Sequence, residues 1–542
     1  MYRSIRTIGG SLIQKARGGA LGGTNIETRQ RRNVSRPSQR TIINYYEMFP
    51  DEPQPDPQAQ AMGQRGGGGR GGGSRFRFNW NSPILLSPHN SSTVYFGGNH
   101  LFKSVDQGAT WKIVSPDLST NDPIKTDRNT GGITRDATGA ENHCSIVTVS
   151  ESHIKQGILW AGTDDSQVHV TTDDGVTWTN VRGNIRGVPD EIWVGRIEAG
   201  HFSEGTAYVV FDGHRSDNFE PWVFKTADLG KTWTKITGGI GANEVARVIR
   251  EDLRNENLLY LGTESGLFVS LNGGQRWERF MNNLPTVPVY DIVIHPREND
   301  LVIGTHGLGI WICDDISPLQ QMTAEVMASD VHLMDPKTVT QWTNISRGGD
   351  RGSKYFRGEN PGGGGGRGGR GGGGRGGGGS AGGPRISFYT GSNINTATLV
   401  ISDVSGRSKH TVELDTESGL NHYNWNMSFD PPVLTAEEEA LLQQYGETTD
   451  RQQRTDIQEK LRTSLENRGE MFTGISGRGG FAGMGGQRAG GQRAGRQQPV
   501  AGGTPQLSGA RAGLGIYSVK LIAGGKTMYS TLEIRQDPLL NR

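Results

Sequence analysis

Two cysteines in 542 residues, Cys144 and Cys313, are too few and too far apart for a disulfide framework, and they form neither a CxxC pair nor a metal-spaced set. They read as buried thiols, with the question of their pairing left open. No apolar run reaches the ~18 residues of a membrane-spanning helix. Neither sign of charge is in excess: 57 basic against 56 acidic residues leave +1, which is not the basic field of a nucleic-acid binder. Apolar residues make up only 33%, so part of the chain cannot build a core. The N-terminus, Met1 to Ile8, is basic, but Gly-rich and polar residues follow where a secretion signal has its apolar stretch. HExxH, Walker A and EF-hand strings are missing too, so no metal or other cofactor is expected.

What the chain has in quantity is glycine, 83 residues, together with a repeated turn. The turn reads Ser/Thr, any, Asp, any, Gly, any, Thr, Trp. It occurs at Ser104–Trp111, Thr171–Trp178 and Thr226–Trp233, with a worn copy at Ser270–Trp277. Its Asp106, Asp173, Asp228 or Asn272 can accept backbone N–H bonds, and its Gly supplies a positive φ. Trp111, Trp178, Trp233 and Trp277 anchor the return strand on an apolar layer. Intervals of roughly 45 to 65 residues are those of propeller blades. These residues are therefore expected to be structural.

Each turn closes a unit of one plan, starting at Phe76. The leading runs are 83–87, 144–150, 192–199, 245–250 and 289–295. A second strand of Tyr/Trp-x-Gly type follows each, as in Leu159-Trp160-Ala161-Gly162-Thr163 and Leu259-Tyr260-Leu261-Gly262-Thr263. The fifth unit ends at Asp315 without a turn. Four short, evenly spaced strands per unit predict an all-β chain with a β-propeller of about five blades over residues 76–335. Leading runs with β-branched residues on both faces suit inner strands buried between blades.

The flanks differ in composition. Residues 1–75 are rich in Arg, Gln, Pro and Gly and are expected to be disordered, and 336–385 read as a Gly/Arg-rich linker. Alternating segments in 386–536 predict a small β-sandwich. It is interrupted at 431–510 by one helix over 435–467, opened by the capping box Thr435-Ala436-Glu437-Glu438, and by a Gly-rich tract. Gly378-Gly379-Ser380-Ala381-Gly382 matches a nucleophile-elbow string, but it lies in a Gly tract without the strand and helix that string requires. The Arg-Gly-Gly runs lack interleaved aromatics and read as linkers, which leaves no nucleic-acid partner.

The Asp turns and Tyr-x-Gly-Thr strands resemble those of the BNR, or Asp-box, propeller proteins, and more closely the bacterial sortilin-like or glycosyl hydrolase BNR repeat proteins. The residues carrying the resemblance are Phe78-Asn79-Trp80-Asn81-Ser82-Pro83-Ile84, Phe211 to Asp217, Gly304 to Trp311, Gly358-Glu359-Asn360-Pro361 and Gly515 to Val519. It implies an extracellular or periplasmic protein that binds a peptide, as sortilin-type members do, or cleaves a polysaccharide, as the xyloglucan-acting members do. It also implies further N-terminal blades, so that this chain resembles a C-terminal part. An incomplete ring has unpaired edges, and association with the missing blades or a second copy is expected.

In a propeller the loops between second and third strands share a face opposite the Asp turns. That face would carry Asp164, Asp165, Asp212, His214, Arg215, Asp217, Glu264 and His306. A glycosidase needs two carboxylates about 5 to 5.5 Å apart for retention or about 6.5 to 9.5 Å for inversion. Asp165 with Asp212 is the candidate catalytic pair, and the others are candidate ligand contacts. The arginine triad of a sialidase is not recognisable. Binding of a peptide or glycan is the leading expectation, and hydrolysis of a β-linked polysaccharide the alternative.

Overall fold

The computed structural model describes residues 5–8, 11–15, 21–25, 31–34, 37–52, 76–126, 142–341, 383–476 and 505–536. The Gly378–Gly382 string, Gly358–Pro361 and most of the Gly/Arg tracts lie outside these residues. The chain divides into two units, Met1–Gln320 and Gln321–Arg542.

The first unit is a β-propeller. Four sheets of four antiparallel strands follow one another, and a three-stranded sheet completes the five blades. Blade one runs Ile84–Leu86, Val94–Gly97, Leu101–Ser104, Lys112–Ile113; blade five has Val289–Ile294, Leu301–Thr305 and Ile310–Cys313. First strands of successive blades lie side by side along the axis. Middle strands such as Leu159–Thr163 and Leu259–Thr263 are buried at every position, because each has a sheet on both faces. Gly162 and Gly262 permit that approach: a Cβ there would stand 2.5 Å from Val194 Cγ1 and 2.6 Å from Val289 Cγ1.

Each pair of neighbouring blades shares one apolar core. Leu159 and Ala161 pack on blade one, Phe211 and Phe224 on blade two, Leu261 and Phe268 on blade three, and Ile292 and Ile303 on blade four. Among the described residues of this unit, no sheet lies beyond blade five. Val293, Ile310 and Ile312 are exposed on its outer side, while Ile292 and Ile294 are buried and Trp311 and Cys313 half-buried.

The turns form as their chemistry requires. Asp173 Oδ1 accepts from Thr177 N at 2.9 Å, Oδ2 from Thr177 Oγ1 at 2.6 Å, and Thr171 Oγ1 donates to Oδ1 at 2.7 Å. Asp106 and Asp228 repeat this set. Asn272 keeps the bonds to Arg276 N and Ser270 Oγ, without a hydroxyl at 276. Two consecutive residues in each turn have positive φ, including Gln107, Asp174 and Leu229 beside the expected glycines. Trp111 and Trp277 are fully buried, whereas Trp178 and Trp233 are only partly so. Trp178 and Trp277 donate Nε1–H to the carbonyls of Val114 and Ile236, each in the preceding blade. The tryptophans thus tie blade to blade as well as strand to layer.

These turns set an acid limit. The Thr177 hydroxyl, then its backbone N–H, hold the Asp173 carboxyl down to about 2, and Thr232 does the same for Asp228. A carboxylate depressed in the folded state contributes stability above its unfolded pKa of ~3.9, and that contribution is lost as pH falls from there toward 2. We predict that Asp173→Asn with Asp228→Asn is less stable at neutral pH and has a flatter stability profile between pH ~4 and ~2. Urea midpoints taken across that window check this; parallel wild-type and mutant profiles would contradict it.

Residues 1–75 are not wholly without structure, contrary to their composition. Ile5–Ile8, Ser11–Lys15, Leu21–Asn25 and Arg31–Val34 form a four-stranded antiparallel sheet. Residues 37–52 cover blade one: Ile42 pairs with Trp111, and Tyr45 and Phe49 pack around Phe76. The Asn44 side chain acts as an added strand residue, accepting from Ile113 N and donating to Ile113 O, both at 2.9 Å. The apolar cluster Ile42, Tyr45, Phe49 is diluted in the polar average of the segment, and it satisfies an edge that would otherwise be open.

In the second unit, Val331–Leu333, Arg385–Thr390 and Gly419–Asn424 make one sheet. Val339–Gln341, Lys526–Gln536, Gly515–Ala523, Thr396–Asp403 and Lys409–Asp415 make another, in that spatial order. Both contribute to one core around Trp425, Leu399 and Val519. Residues 331–333, expected in the propeller region, pair with 388–390, and 339–341, expected in the linker, with 534–536. The expected single helix over 435–467 is two, Ala436–Glu447 and Arg451–Asn467. Asp450 divides them, since its carboxylate accepts from Gln452 N and Gln453 N and caps a new start. The Thr435–Glu438 capping box is formed.

Candidate functional site

Four inner strands carry an extra residue near their start. Val147, Gly195, Arg247 and Tyr290 occupy the register shifts opposite the middle strands of blades two, three, four and five. A bulge re-aims its side chain out of the ladder. Arg247 is thereby directed to Asp212, at the end of the middle strand of blade three, and to Glu264, just past that of blade four.

The result is a tied group spanning two blades. Arg247 Nη1 bonds Asp212 Oδ2, while Nε, at 2.8 Å, and Nη2 both bond Glu264 Oε2. Asp212 takes more: Oδ1 accepts from His214 Nδ1 at 2.5 Å, and Oδ2 from Arg215 Nη1 at 3.1 Å. Arg215 lies 4.1 Å from the Trp193 ring centroid, and Arg247 4.7 Å from that of Tyr290. His306 stands beside Tyr290 with ring centroids 5.1 Å apart. The Arg247 and Asp212 side chains are 4% and 7% exposed, whereas Glu264 is 44% exposed. A buried, charged foundation thus holds an accessible rim of His214, Arg215, Glu264 and His306.

Of the expected residues, Asp212, His214, Arg215, Glu264 and His306 come together here. Asp217 stands exposed in a left-handed turn after them, outside these contacts. Asp164 and Asp165 are elsewhere and buried. Asp164 accepts from Ser145 N at 2.8 Å, Ser145 Oγ at 3.0 Å and Asn79 Nδ2 at 3.1 Å, and burial pushes its carboxyl up. Asp165 Oδ2 accepts from Thr120 N and Oγ1, both at 2.7 Å, and its Oδ1 is shielded from solvent. Asp165 and Asp212 share no partner among the described residues. Cys144 is a buried thiol, pushed up to about 11 by burial and then the Asp165 charge, Cys313 is half-buried, and the two form no disulfide among the described residues.

Arg247, Trp193 and Tyr290 were hidden in runs read as inner-strand core. One signal was available: an arginine inside the apolar Val245-Ala246-Arg247-Val248-Ile249 has to find a carboxylate when the strand is buried.

No family model and no curated protein sequence matches this chain. Among solved structures it is similar to a GH74 xyloglucanase from Xanthomonas campestris, at 17% identity over 61% of this chain and 48% of that one, with a TM-score of 0.37. A GH74 enzyme from Niastella koreensis gives 17% identity, 61% and 47% coverage and 0.36. The extracellular domain of a hybrid two-component system from B. thetaiotaomicron gives 14%, 58% and 33%, and 0.35. The chain spans about half the length of those GH74 enzymes. Likenesses at this level identify no ligand and no reaction.

Proposed function

We propose that this chain is a binding or scaffold protein, acting outside the cytoplasm, that holds a peptide or glycan on the propeller face built over Arg247. The observation that carries this reading is the occupancy of its carboxylates. Both oxygens of Asp212 accept bonds from His214, Arg215 and Arg247, and Glu264 shares the same guanidinium. Glycoside hydrolysis asks for one carboxyl free to give a proton and another free to attack or to activate water. Asp212 is engaged on both oxygens, and Asp165 is buried under Thr120. An immobilised network with an exposed rim suits recognition, which needs fixed donors and acceptors more than proton transfer. The extracytoplasmic placement follows the resemblance of the turns; no helix among the described residues is long and apolar enough to cross a membrane.

The test is to incubate the full chain with β-linked glucans and with peptides, following binding and reducing-end release in parallel. Binding without release is the expected result. Release of reducing ends that disappears in Asp212→Asn while binding persists would overturn the proposal.

A further inference from the structure

We infer that the ligand of this face presents a carboxylate to Arg215, and that a peptide bearing an acidic side chain or a free C-terminus supplies it. The inference rests on the binding reading above. Arg215 spends only Nη1, on Asp212 Oδ2, and no bond from its Nε or Nη2 is made among the described residues. Those two N–H groups share one edge of the guanidinium, the edge that receives a carboxylate through two parallel bonds. The plane is held from behind by Trp193 at 4.1 Å, and the side chain is 39% exposed, so the edge is both fixed and reachable.

His214 adds the second half of the pattern. Its Nδ1 is committed to Asp212 Oδ1, which puts the proton of the neutral ring on that nitrogen and makes Nε2 an acceptor. An acceptor next to a carboxylate-binding edge matches a chain that offers a carboxylate and an amide N–H side by side. A sugar would instead seek an open aromatic face. Here Trp193 carries Arg215, and Tyr290 has Arg247 over its ring and His306 beside it. Glu264 Oε1, left outside the bonds to Arg247, discourages a densely anionic ligand.

The experiment uses the full chain and a panel of immobilised heptapeptides with one central Glu or Gln, each with a free or amidated C-terminus. Glucuronate-containing and neutral β-linked oligosaccharides complete the panel. Wild type is expected to bind a carboxylate peptide at least about tenfold tighter than its Gln or amide twin, a factor that Arg215→Gln removes while the protein stays folded, with Tm lowered only modestly because Arg247 and His214 still bond Asp212. Asp217→Asn is expected to leave the preference intact. Equal binding of acid and amide forms, or a preference that survives in Arg215→Gln, overturns the inference while the binding reading stands. Preference for the glucuronate oligosaccharides overturns the peptide assignment, and binding of neutral glucan alone overturns the carboxylate. Failure of every probe to bind sinks the binding reading and this inference together.

Discussion

Replacing Trp277 by alanine is expected to cost about 3 to 5 kcal/mol, the range for deleting a large aromatic side chain from a packed core. The indole is 2% exposed and packs against Ile236 and Tyr208 of blade three, although it belongs to the turn of blade four. Its Nε1–H also satisfies the Ile236 carbonyl at 2.8 Å, so truncation leaves both a cavity and a buried acceptor without its donor. Trp178→Ala should cost less. That ring is only partly buried, even though it makes the equivalent bond to Val114 O at 2.9 Å. Urea unfolding of the two variants side by side checks the order. Equal losses, or a Trp277→Ala midpoint matching wild type, would mean that the turn tryptophans do not join the blades.

Arg247→Met should be nearly as damaging, for an electrostatic reason. Methionine keeps much of the volume but withdraws the guanidinium from Asp212, which is almost wholly buried. Removing one partner of a buried ion pair typically costs about 3 to 5 kcal/mol, because the remaining charge is left uncompensated. His214 and Arg215 still bond Asp212, so the lower end of that range is expected. Glu264 is more exposed and can turn to water, which makes Glu264→Gln mild. Adding Asp212→Asn to Arg247→Met should recover part of the loss, since the stranded charge is then absent. Thermal and urea denaturation of the single and double variants decide it. An Arg247→Met protein as stable as wild type would show that Arg247 does not neutralise Asp212.

Much of the architecture was legible because its causes are local. An Asp two residues before Gly and five before Trp builds its turn from bonds within eight residues, so the repeat announces itself. The Tyr-x-Gly strands were equally open to reading, since a fully buried middle strand needs apolar residues on both faces. The break between the two helices was also written locally, in Thr448-Thr449-Asp450, but the longer periodic run concealed it. The coverage of blade one by 37–52 was not legible, because Asn44 acts as a strand residue only when Ile113 stands opposite.

The site divides along the same line. Loop position alone gathered Asp212, His214, Arg215, Glu264 and His306, because second-to-third strand loops of a propeller share a face. The same rule also brought in Asp164 and Asp165, whose loop is equivalent but folds inward onto Ser145 and Thr120. By itself, then, the amino-acid sequence determined the turns, the blade repeat, the all-β class and the face on which polar loops collect, since each follows from bonds and burial patterns between near neighbours. Only the tertiary structure decided which carboxylates reach solvent, that bulges at Arg247 and Tyr290 aim those side chains into the face, and that one guanidinium joins two blades. These depend on register shifts and on distances between residues 35 or 17 positions apart, which no local pattern encodes.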